Sequence, residues 1–559
     1  MRNTHSGATL SVRAIAGSHV VILAWDMKPP ATAGLLGFAV QRTELRHGTV
    51  IERYWLRGIK RFEDKDQGLP PGTPVPTSEH PVQSFQWGDY TPHPDTDFVY
   101  RVVPVYGQPK NLELRETSAA QVAIHTEPSY GTEHSIFFNR GVAGSQAYAR
   151  KFPNPTPDVN VPTSPQLKWL SRGLYEALVK FIGRAANKKW GLRAALYEFH
   201  YEPVGQAFKQ AINHGADVRI VYDTPNYGPQ NTAMVNKLGL GANCIQRDNG
   251  GNQKHNKFIV LLKDGKPIEV WTGSTNISDG GIFGHSNVGH QVADETVAQQ
   301  YLDYWNALAA NPPVGALAKL NNGRTPTPSS ALGNTALVAL FSPRRFETLQ
   351  WYADLMNAAH EIVCFTVAFA LAKPFETVIQ QENDVLRYVL SDKRLAGSAL
   401  ITKDRDVLYA AGAKFDKGEL PDFLEEKLTG LNQNLYIHDK FMLLDPIGEV
   451  PTVITGSANF SGTSQSGNDE NMLVIRGNQR VADIYFGEFL RIFDHIYARY
   501  LARKIKEEMA AKAKENAGKP QPATPGSGFL KTSDVWVAAH FQDGPKSRRR
   551  QYFHGAWQS

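Results

Sequence analysis

Four residues, His255, Lys257, Ser274 and Asn276, recur 183 positions later at identical spacing as His438, Lys440, Ser457 and Asn459. A lone His-x-Lys triplet is frequent by chance. Two copies that agree at offsets 0, 2, 19 and 21 mark an internal duplication, which constrains architecture more than any local propensity. Each copy, HNKFIVLLKDGKPIEVWTGSTNIS (255–278) and HDKFMLLDPIGEVPTVITGSANFS (438–461), reads as a hairpin. An apolar strand is followed by a turn bearing Gly or Pro, then by a second strand ending in Gly-Ser-x-Asn. Alternate residues of a strand share a face, so each His and its Lys point into one space.

Two such units related by a pseudo-twofold axis bring together paired imidazoles, ammonium groups, hydroxyls and carboxamides. That set suits a phosphodiester. The lysines, with Ser274, Asn276, Ser457 and Asn459 as further donors, can hold the non-bridging oxygens and stabilise a pentacoordinate transition state. One histidine can attack phosphorus while the other protonates the leaving oxygen, and the roles reverse when water or an alcohol resolves the phosphohistidine. No metal or other cofactor is needed for this, because the cations are already side chains.

The segments resemble the paired HxK(x4)D(x6)GSxN motifs of the phospholipase D superfamily, which contains phospholipases, cardiolipin synthases, bacterial endonucleases and related phosphodiesterases. The second copy holds every motif residue, with His438, Lys440 and Asp445 at the family offsets and a longer stretch before Gly456, Ser457 and Asn459. The first copy departs: Leu262 stands where the aspartate is expected, and Asp264 lies two residues further on. Asp264 either replaces the missing acid or forms an Asp-Gly turn with Gly265. The family usually carries an acid that hydrogen-bonds the histidine ring, 32 positions on. Glu470 fills that place after His438 and Asn287 after His255.

This asymmetry predicts an orienting set of Glu470, Asp445, Asn287 and Asp264. It also predicts that His438, with a carboxylate partner, is the more basic ring. The resemblance implies that His255 attacks and His438 acts as acid, while the missing aspartate at Leu262 leaves their order open. His285 and His290 flank Asn287 and read as satisfied loop histidines. Ser278 and Ser461 read as turn residues outside the site.

The rest of the chain is organised around these hairpins. Its 559 residues, 42% hydrophobic and 20% charged, describe an ordinary globular protein with room for several domains. Residues 1–128 read as all-β, with strands at Val20–Trp25, Gly37–Arg42, Phe98–Val105 and Gln121–His125. They resemble a fibronectin type III sandwich with an insertion over 46–95 and Trp25 and Tyr100 as core aromatics. From 131 strands and helices alternate, which predicts an α/β fold: a duplicated pair of phospholipase D-like mixed sheets flanked by helices, one half over 131–325 and the other over 326–515. Helices are expected at 165–182, 204–214, 348–359 and 374–381, with strands at 192–198, 217–222, 362–369 and 385–390. A long helix from Val481 to about Lys514 leads into 516–559, a Pro/Gly/Ala linker followed by an aromatic and basic tail. That tail carries Phe529, Trp536, Phe541, Tyr552, Phe553, Trp557 and KSRRR (546–550), and reads as docking back on the catalytic domain rather than binding anionic lipid or nucleic acid.

Two cysteines and the lack of a charged, apolar leader pattern at the N-terminus point to the cytoplasm. The longest uncharged apolar run, Ile362–Ala372, is too short for a membrane span of about 20 residues. The expected substrate is a phospholipid, reached by peripheral membrane contact and bounded by an apolar rim at Ile282 and Phe283 in the loop 279–286. The alternative is an endonuclease whose basic groove would use Arg247, Lys254, Arg405 and KSRRR. A silent binding protein is the remote alternative. Duplication within one chain makes an oligomer unnecessary for a complete site.

Overall fold

The computed structural model describes residues 1–69, 73–141, 148, 151–152, 156–249, 252–412, 431, 437–515 and 529–555. Trp557 of the tail and the linker 516–528 lie outside them.

The N-terminal region is all-β. Strands β1 (Arg2–Ser6), β2 (Leu10–Ala16), β3 (Val21–Met27), β4 (Gly37–Arg46), β5 (Thr49–Trp55), β6 (Arg57–Gly58), β7 (Val75–Pro76), β8 (Gln86–Asp89), β9 (Asp97–Gln108), β10 (Asn111–Leu114) and β11 (Ala120–His125) follow in order. One sheet runs β1-β2-β3-β8. In the other, β9 pairs β4 on one edge and β10 and β11 on the other, with β5 beyond β4. The segment read as an insertion contributes β5 and β8 to these sheets. Trp25 and Tyr100, both fully buried, lie in the core between them, Trp25 edge-on to Phe38 at 5.2 Å.

Fourteen further strands follow: β12 (His134–Phe138), β13 (Trp190–Leu196), β14 (Asp217–Asp223), β15 (Cys244–Arg247), β16 (Lys257–Lys263), β17 (Lys266–Gly273), β18 (Val288–Val292), then β19 (Ala336–Ser342), β20 (Ile362–Val367), β21 (Leu386–Ser391), β22 (Val407–Ala411), β23 (Phe441–Leu444), β24 (Thr452–Gly456) and β25 (Glu470–Arg476). They form two seven-stranded sheets ordered β12-β18-β17-β16-β13-β14-β15 and β19-β25-β24-β23-β20-β21-β22. The directions also correspond: in each sheet the last two pairings are parallel and the rest antiparallel. The duplication predicted from the motifs is therefore a duplication of the whole mixed α/β sheet.

The two sheets share one core, in which Phe258, Val260 and Val270 of the first lie with Cys364, Leu443 and Leu473 of the second. The helix Gln479–Glu515 adds Tyr485, Phe489 and Phe493 to that core. The helix expected over 165–182 is two helices, Pro165–Ser171 and Leu174–Gly183, because Arg172 and Gly173 both adopt positive φ and turn the chain between them.

The tail residues 529–555 dock back. Trp536 Nε1 donates to the Leu35 carbonyl at 3.0 Å. Arg550 pairs with Asp26, Arg548 with Asp406 at 2.6 Å, and Arg549 Nε donates to the Tyr388 hydroxyl at 2.8 Å. The tail thus bridges the β-sandwich and the second α/β sheet, and its three arginines are committed to the chain itself. No helix among the described residues is long and apolar enough to cross a membrane.

Candidate functional site

Each His-x-Lys segment runs into the first strand of its hairpin, and the motif glycine closes the second strand where backbones meet. A Cβ on Gly273 would overlap the Val288 carbonyl, and one on Gly456 the Asn471 carbonyl, so both motif positions require glycine. The halves are stitched at this end. Ile437 bridges Ser286 in parallel, and the His438 N–H donates to Ser286 Oγ at 3.2 Å.

The result is a pair of histidines, one from each half, set across a short gap. The rings of His255 and His438 lie 6.4 Å apart between centroids, with their planes at 71°. A phosphorus between two reacting nitrogens, each about 3–3.5 Å away, needs a gap of that order. Lys257 and Lys440 stand beside them, each donating to the carbonyl of its own histidine at 2.6 Å. An ammonium has three N–H groups, so two per lysine remain for a ligand. All four side chains are buried, at 1–4% exposure.

The orienting groups cross between the halves. Glu470 Oε2 lies 2.9 Å from Nδ1 of His255, and Asn287 Oδ1 lies 2.8 Å from Nδ1 of His438. This corrects the pairing read from sequence distance, which gave Glu470 to His438 and Asn287 to His255. The physical reason is the pseudo-twofold axis, which places the end of each hairpin's following strand beside the partner histidine. His255, not His438, holds the carboxylate. Asn287 Nδ2 donates to the Gly281 carbonyl at 2.7 Å, so its Oδ1 accepts, and His438 must carry its proton on Nδ1.

The serines also take a different role. Ser274 Oγ donates to Asn287 Oδ1 at 2.8 Å and Ser457 Oγ to Glu470 Oε2 at 2.7 Å. A hydroxyl has one proton, and here it is spent on the orienting group, so neither serine is a free donor to a phosphate. Asn276 gives Nδ2 to Glu198 Oε1 at 2.6 Å, and the Oδ1 atoms of Asn276 and Asn459 are buried without partners.

Two predicted acids lie elsewhere. The Asp445 carboxylate accepts the backbone N–H groups of His360, Glu361 and Ile362 at 2.7–3.0 Å, capping the turn before β20 at the strand end away from His438. Asp264, at φ 50, sits with Gly265 in the turn between β16 and β17, where its N–H donates to the Lys189 carbonyl. It is a turn residue and replaces no catalytic acid.

Burial dominates the titration of the pair. It lowers His255 to about 4, opposed by Glu470 and reinforced by Lys257. It lowers His438 well below the ordinary range, reinforced by Lys440, His285 and Lys257. Burial likewise brings Lys257 down to about 8 and Lys440 to about 7. Glu470 is held below the usual carboxylate range because His255, Lys257 and Ser457 outweigh the cost of its own burial. The resting site is thus a buried cluster of neutral imidazoles and weakly held ammonium protons, poised to gain charge when an anion enters.

Some neighbours escaped the sequence reading. The Tyr197 ring lies edge-on to His255 at 4.7 Å and 4.9 Å from the Lys257 ammonium. Asn471 bridges the halves through Asn256 and Thr272 at 2.9 and 2.6 Å. His285, read as a satisfied loop residue, lies 5.8 Å from the His438 ring with Nδ1 buried and unpartnered. His290 is satisfied, by His134 and Tyr485 at 3.0 Å each. Ser278 and Ser461 do close turns, accepting the N–H groups of Gly281 and Ser464.

The expected apolar rim is absent at 279–286: Ile282 and Phe283 are fully buried, and Phe283 packs on Tyr175 and Tyr201. The basic groove is also reduced, since Arg247 is buried in an ion pair with Asp469 at 3.0 Å and Lys254 is 3% exposed.

Residues 355–493 match the family model described as "Cardiolipin synthase, PLD-like domain". This stretch holds β20 to β25 and the second His-Lys-Ser-Asn set. None of the curated proteins compared with the chain matches it. Solved structures that align with it include a phosphatidylserine synthase from Haemophilus influenzae Rd KW20, at 11% identity over 62% of this chain and 93% of that one, with a TM-score of 0.42. A polyphosphate kinase from Porphyromonas gingivalis aligns at 11% identity over 79% and 71%, with a TM-score of 0.39. The phospholipase D family member Nuc from Salmonella typhimurium aligns at 22% identity over 24% and 87%, with a TM-score of 0.22.

Proposed function

We propose that this chain is a metal-independent phosphodiesterase of phospholipase D type, which hydrolyses phospholipid phosphodiesters, or transfers the phosphatidyl group to an alcohol, through a phosphohistidine. The observation that carries the reading is the facing of His255 and His438 at 6.4 Å, each with its own lysine.

The crossed partners support one distribution of roles. His255 donates Nδ1–H to Glu470, which leaves the Nε2 lone pair to attack phosphorus and a carboxylate to stabilise the positive phosphohistidine that forms. His438 has only an amide on Nδ1, so its imidazolium is weakly held and gives up the Nε2 proton readily to the leaving oxygen. The proton it needs is supplied on binding, because a phosphodiester anion favours the charged forms of every cation around it. Neutral His438 then takes a proton from water or an alcohol, whose oxygen attacks phosphorus and releases His255. Lys257 and Lys440 hold the non-bridging oxygens throughout, with Asn276 and Asn459 beside them.

Phospholipid is preferred to nucleic acid because the residues that would build a basic groove are largely spent inside the chain. We read the N-terminal sheets as a fibronectin type III-like module on the strength of Trp25 and Tyr100, and the setting as cytoplasmic, with Cys244 and Cys364 both free. The full chain in EDTA, given bis(p-nitrophenyl) phosphate, phospholipid vesicles and DNA in parallel, tests the reading. Turnover of the soluble diester and of lipid, with acid-labile phosphate trapped on His255, supports it. No cleavage of any phosphodiester overturns it.

A further inference from the structure

Three consecutive residues of the first half close around the histidine of the second. Asn287 Oδ1 accepts from Nδ1 of His438 at 2.8 Å, Ser286 Oγ accepts from its backbone N–H at 3.2 Å, and the His285 ring lies 5.8 Å from its ring with the planes at 48°. His285 has extended backbone, so it and Asn287, two residues on, project to the same side of the chain, toward His438. Its backbone is pinned at both ends: the N–H donates to the Gly280 carbonyl and the carbonyl accepts from Asn139 Nδ2, each at 2.8 Å.

The ring is held in place, yet its Nδ1 is buried and has no hydrogen-bond partner. An empty buried polar atom costs stability and is the exception in folded proteins. The neighbouring His290, by contrast, is bonded through both ring nitrogens.

In the other half the equivalent place is filled. Gly273 pairs with Gly289 and Gly456 with Met472, so the 183-residue offset carries through these strands and Asn468 is the counterpart of His285. Asn468 donates Nδ2 to Glu470 at 3.1 Å and accepts the Gln253 N–H at 3.3 Å, so its amide is spent on the frame around His255. Of this pair of positions, the one beside His438 is open and the one beside His255 is closed. In the proposed mechanism His438 is where oxygen departs and arrives.

In the second step an oxygen attacks phosphorus: its O–P bond forms, the P–Nε2 bond to His255 breaks, and one hydrogen passes to Nε2 of His438. Water then still carries a hydrogen, whereas a monohydric alcohol carries none. Burial, reinforced by Lys440, lowers His285 to about 4, so the ring is neutral near pH 7 and, with its proton on Nε2, presents Nδ1 as an acceptor. An oxygen about 2.8 Å from a nitrogen of each ring fits between centroids at this separation.

Resting on the phosphodiesterase reading above, we propose that His285 selects water as the nucleophile that resolves the phosphohistidine, by accepting the second O–H of the molecule whose first O–H goes to His438. No proton passes to His285. The chain is then a hydrolase more than a transferase, because an alcohol in that place leaves Nδ1 empty.

The test gives the full chain bis(p-nitrophenyl) phosphate in water containing ethanol and separates the initial products. Water yields p-nitrophenyl phosphate and ethanol yields ethyl p-nitrophenyl phosphate, both from one phosphohistidine, so their ratio is blind to the first step and to the amount of folded protein. His285→Leu shifts that ratio toward the ethyl ester about five- to tenfold, the worth of one hydrogen bond. His285→Asn, the residue the other half carries, returns an amide oxygen near the place of Nδ1 and keeps the ratio of the wild type. If the leucine variant forms neither product, His285→Ala removes the nitrogen without adding bulk and carries the same expectation. A ratio that does not move in the variant lacking the nitrogen, a ratio that moves equally in His285→Asn, or loss of both products in the leucine and alanine variants alike overturns the selection and leaves the phosphodiesterase reading standing. If the wild type cleaves no diester, the earlier reading itself falls.

Discussion

Glu470 lies on the strand that follows the second hairpin, yet its carboxylate holds His255, the histidine of the first, at 2.9 Å. Each half therefore completes the site of the other. The exchange is unequal, since the first half returns only the amide of Asn287 to His438. One imidazole can sustain a positive charge against a buried carboxylate, and the other cannot. In the proposed mechanism this difference makes one of two chemically alike histidines the nucleophile and the other the acid.

Exchanging the orienting groups should separate those roles. Glu470→Gln keeps the hydrogen bond but removes the charge that stabilises the phosphohistidine, and kcat should fall about 10²–10⁴-fold with the fold intact. Asn287→Asp should instead raise the His438 pKa and carry the basic limb of the kcat–pH profile upward. Stopped-flow and steady-state profiles on both variants check this. A basic limb that moves with Glu470→Gln and not with Asn287→Asp would reverse the assignment.

A buried ammonium without a committed anion costs stability, so the lysines should trade stability for function. Burial lowers Lys440 to about 7 from its ordinary 10.5. Between those values the unfolded chain holds more protons than the native one, so this lysine makes stability rise with pH across the window; at and below about 7 its full cost is felt. Lys440→Met should therefore stabilise the protein by about 1–3 kcal/mol near and below neutral pH, the gain shrinking toward pH 10, while activity is lost. Urea unfolding across that pH range decides it. A Met variant that is less stable than wild type at every pH would show the ammonium to be well compensated.

The half-sites were legible because their signal is local. Strand alternation places His255 beside Lys257 and His438 beside Lys440, and the order of helices and strands around each hairpin is written in apolar periodicity. The crossed partners were not legible. Glu470 and Asn287 stand 32 residues after the histidines of their own halves, and only the packing of one sheet on the other decides which ring each meets. Ser274 and Ser457 could be placed at the site but not aimed, because a hydroxyl's single proton goes to whichever acceptor the fold brings nearest. Asp445 matched the motif spacing perfectly and still caps a turn at the opposite strand end. Ile282 and Phe283, between glycines, read as an exposed rim but are buried in the core, where Phe283 packs on Tyr175 and Tyr201.

The C-terminal tail offers a test of stability with no chemistry in it. Arg550 lies 4.2 Å above the Phe541 ring and pairs with Asp26, while Phe553 packs on Phe486 of the long helix at 5.5 Å. Phe553→Ala should cost about 3–5 kcal/mol, as expected for a fully buried phenylalanine, and the loss should appear as a lowered Tm with an unchanged KM for the soluble diester. A normal Tm would mean that the tail rests on the body without contributing to its stability.

Anion binding should report the protonation state of the site directly. Sulfate stays a dianion across the accessible pH range, so any pH dependence of its affinity belongs to the protein. The cations that would hold it are Lys440, lowered to about 7, and Lys257, lowered to about 8, both chiefly by burial. Below about pH 7 both are charged and sulfate should bind most tightly. As pH rises through each value, binding must first return a proton to the lysine, so the affinity should weaken by up to about tenfold per pH unit for each lysine titrated. By the same linkage, sulfate binding near neutral pH should take up protons, so its measured heat should scale with the ionisation enthalpy of the buffer. Calorimetry at about pH 6, 7.5 and 9 in two buffers tests both statements. An affinity that is flat across that range, with no buffer dependence, would mean that both ammonium groups stay protonated and that the resting charge of the site differs from the one on which the proposed proton transfers depend.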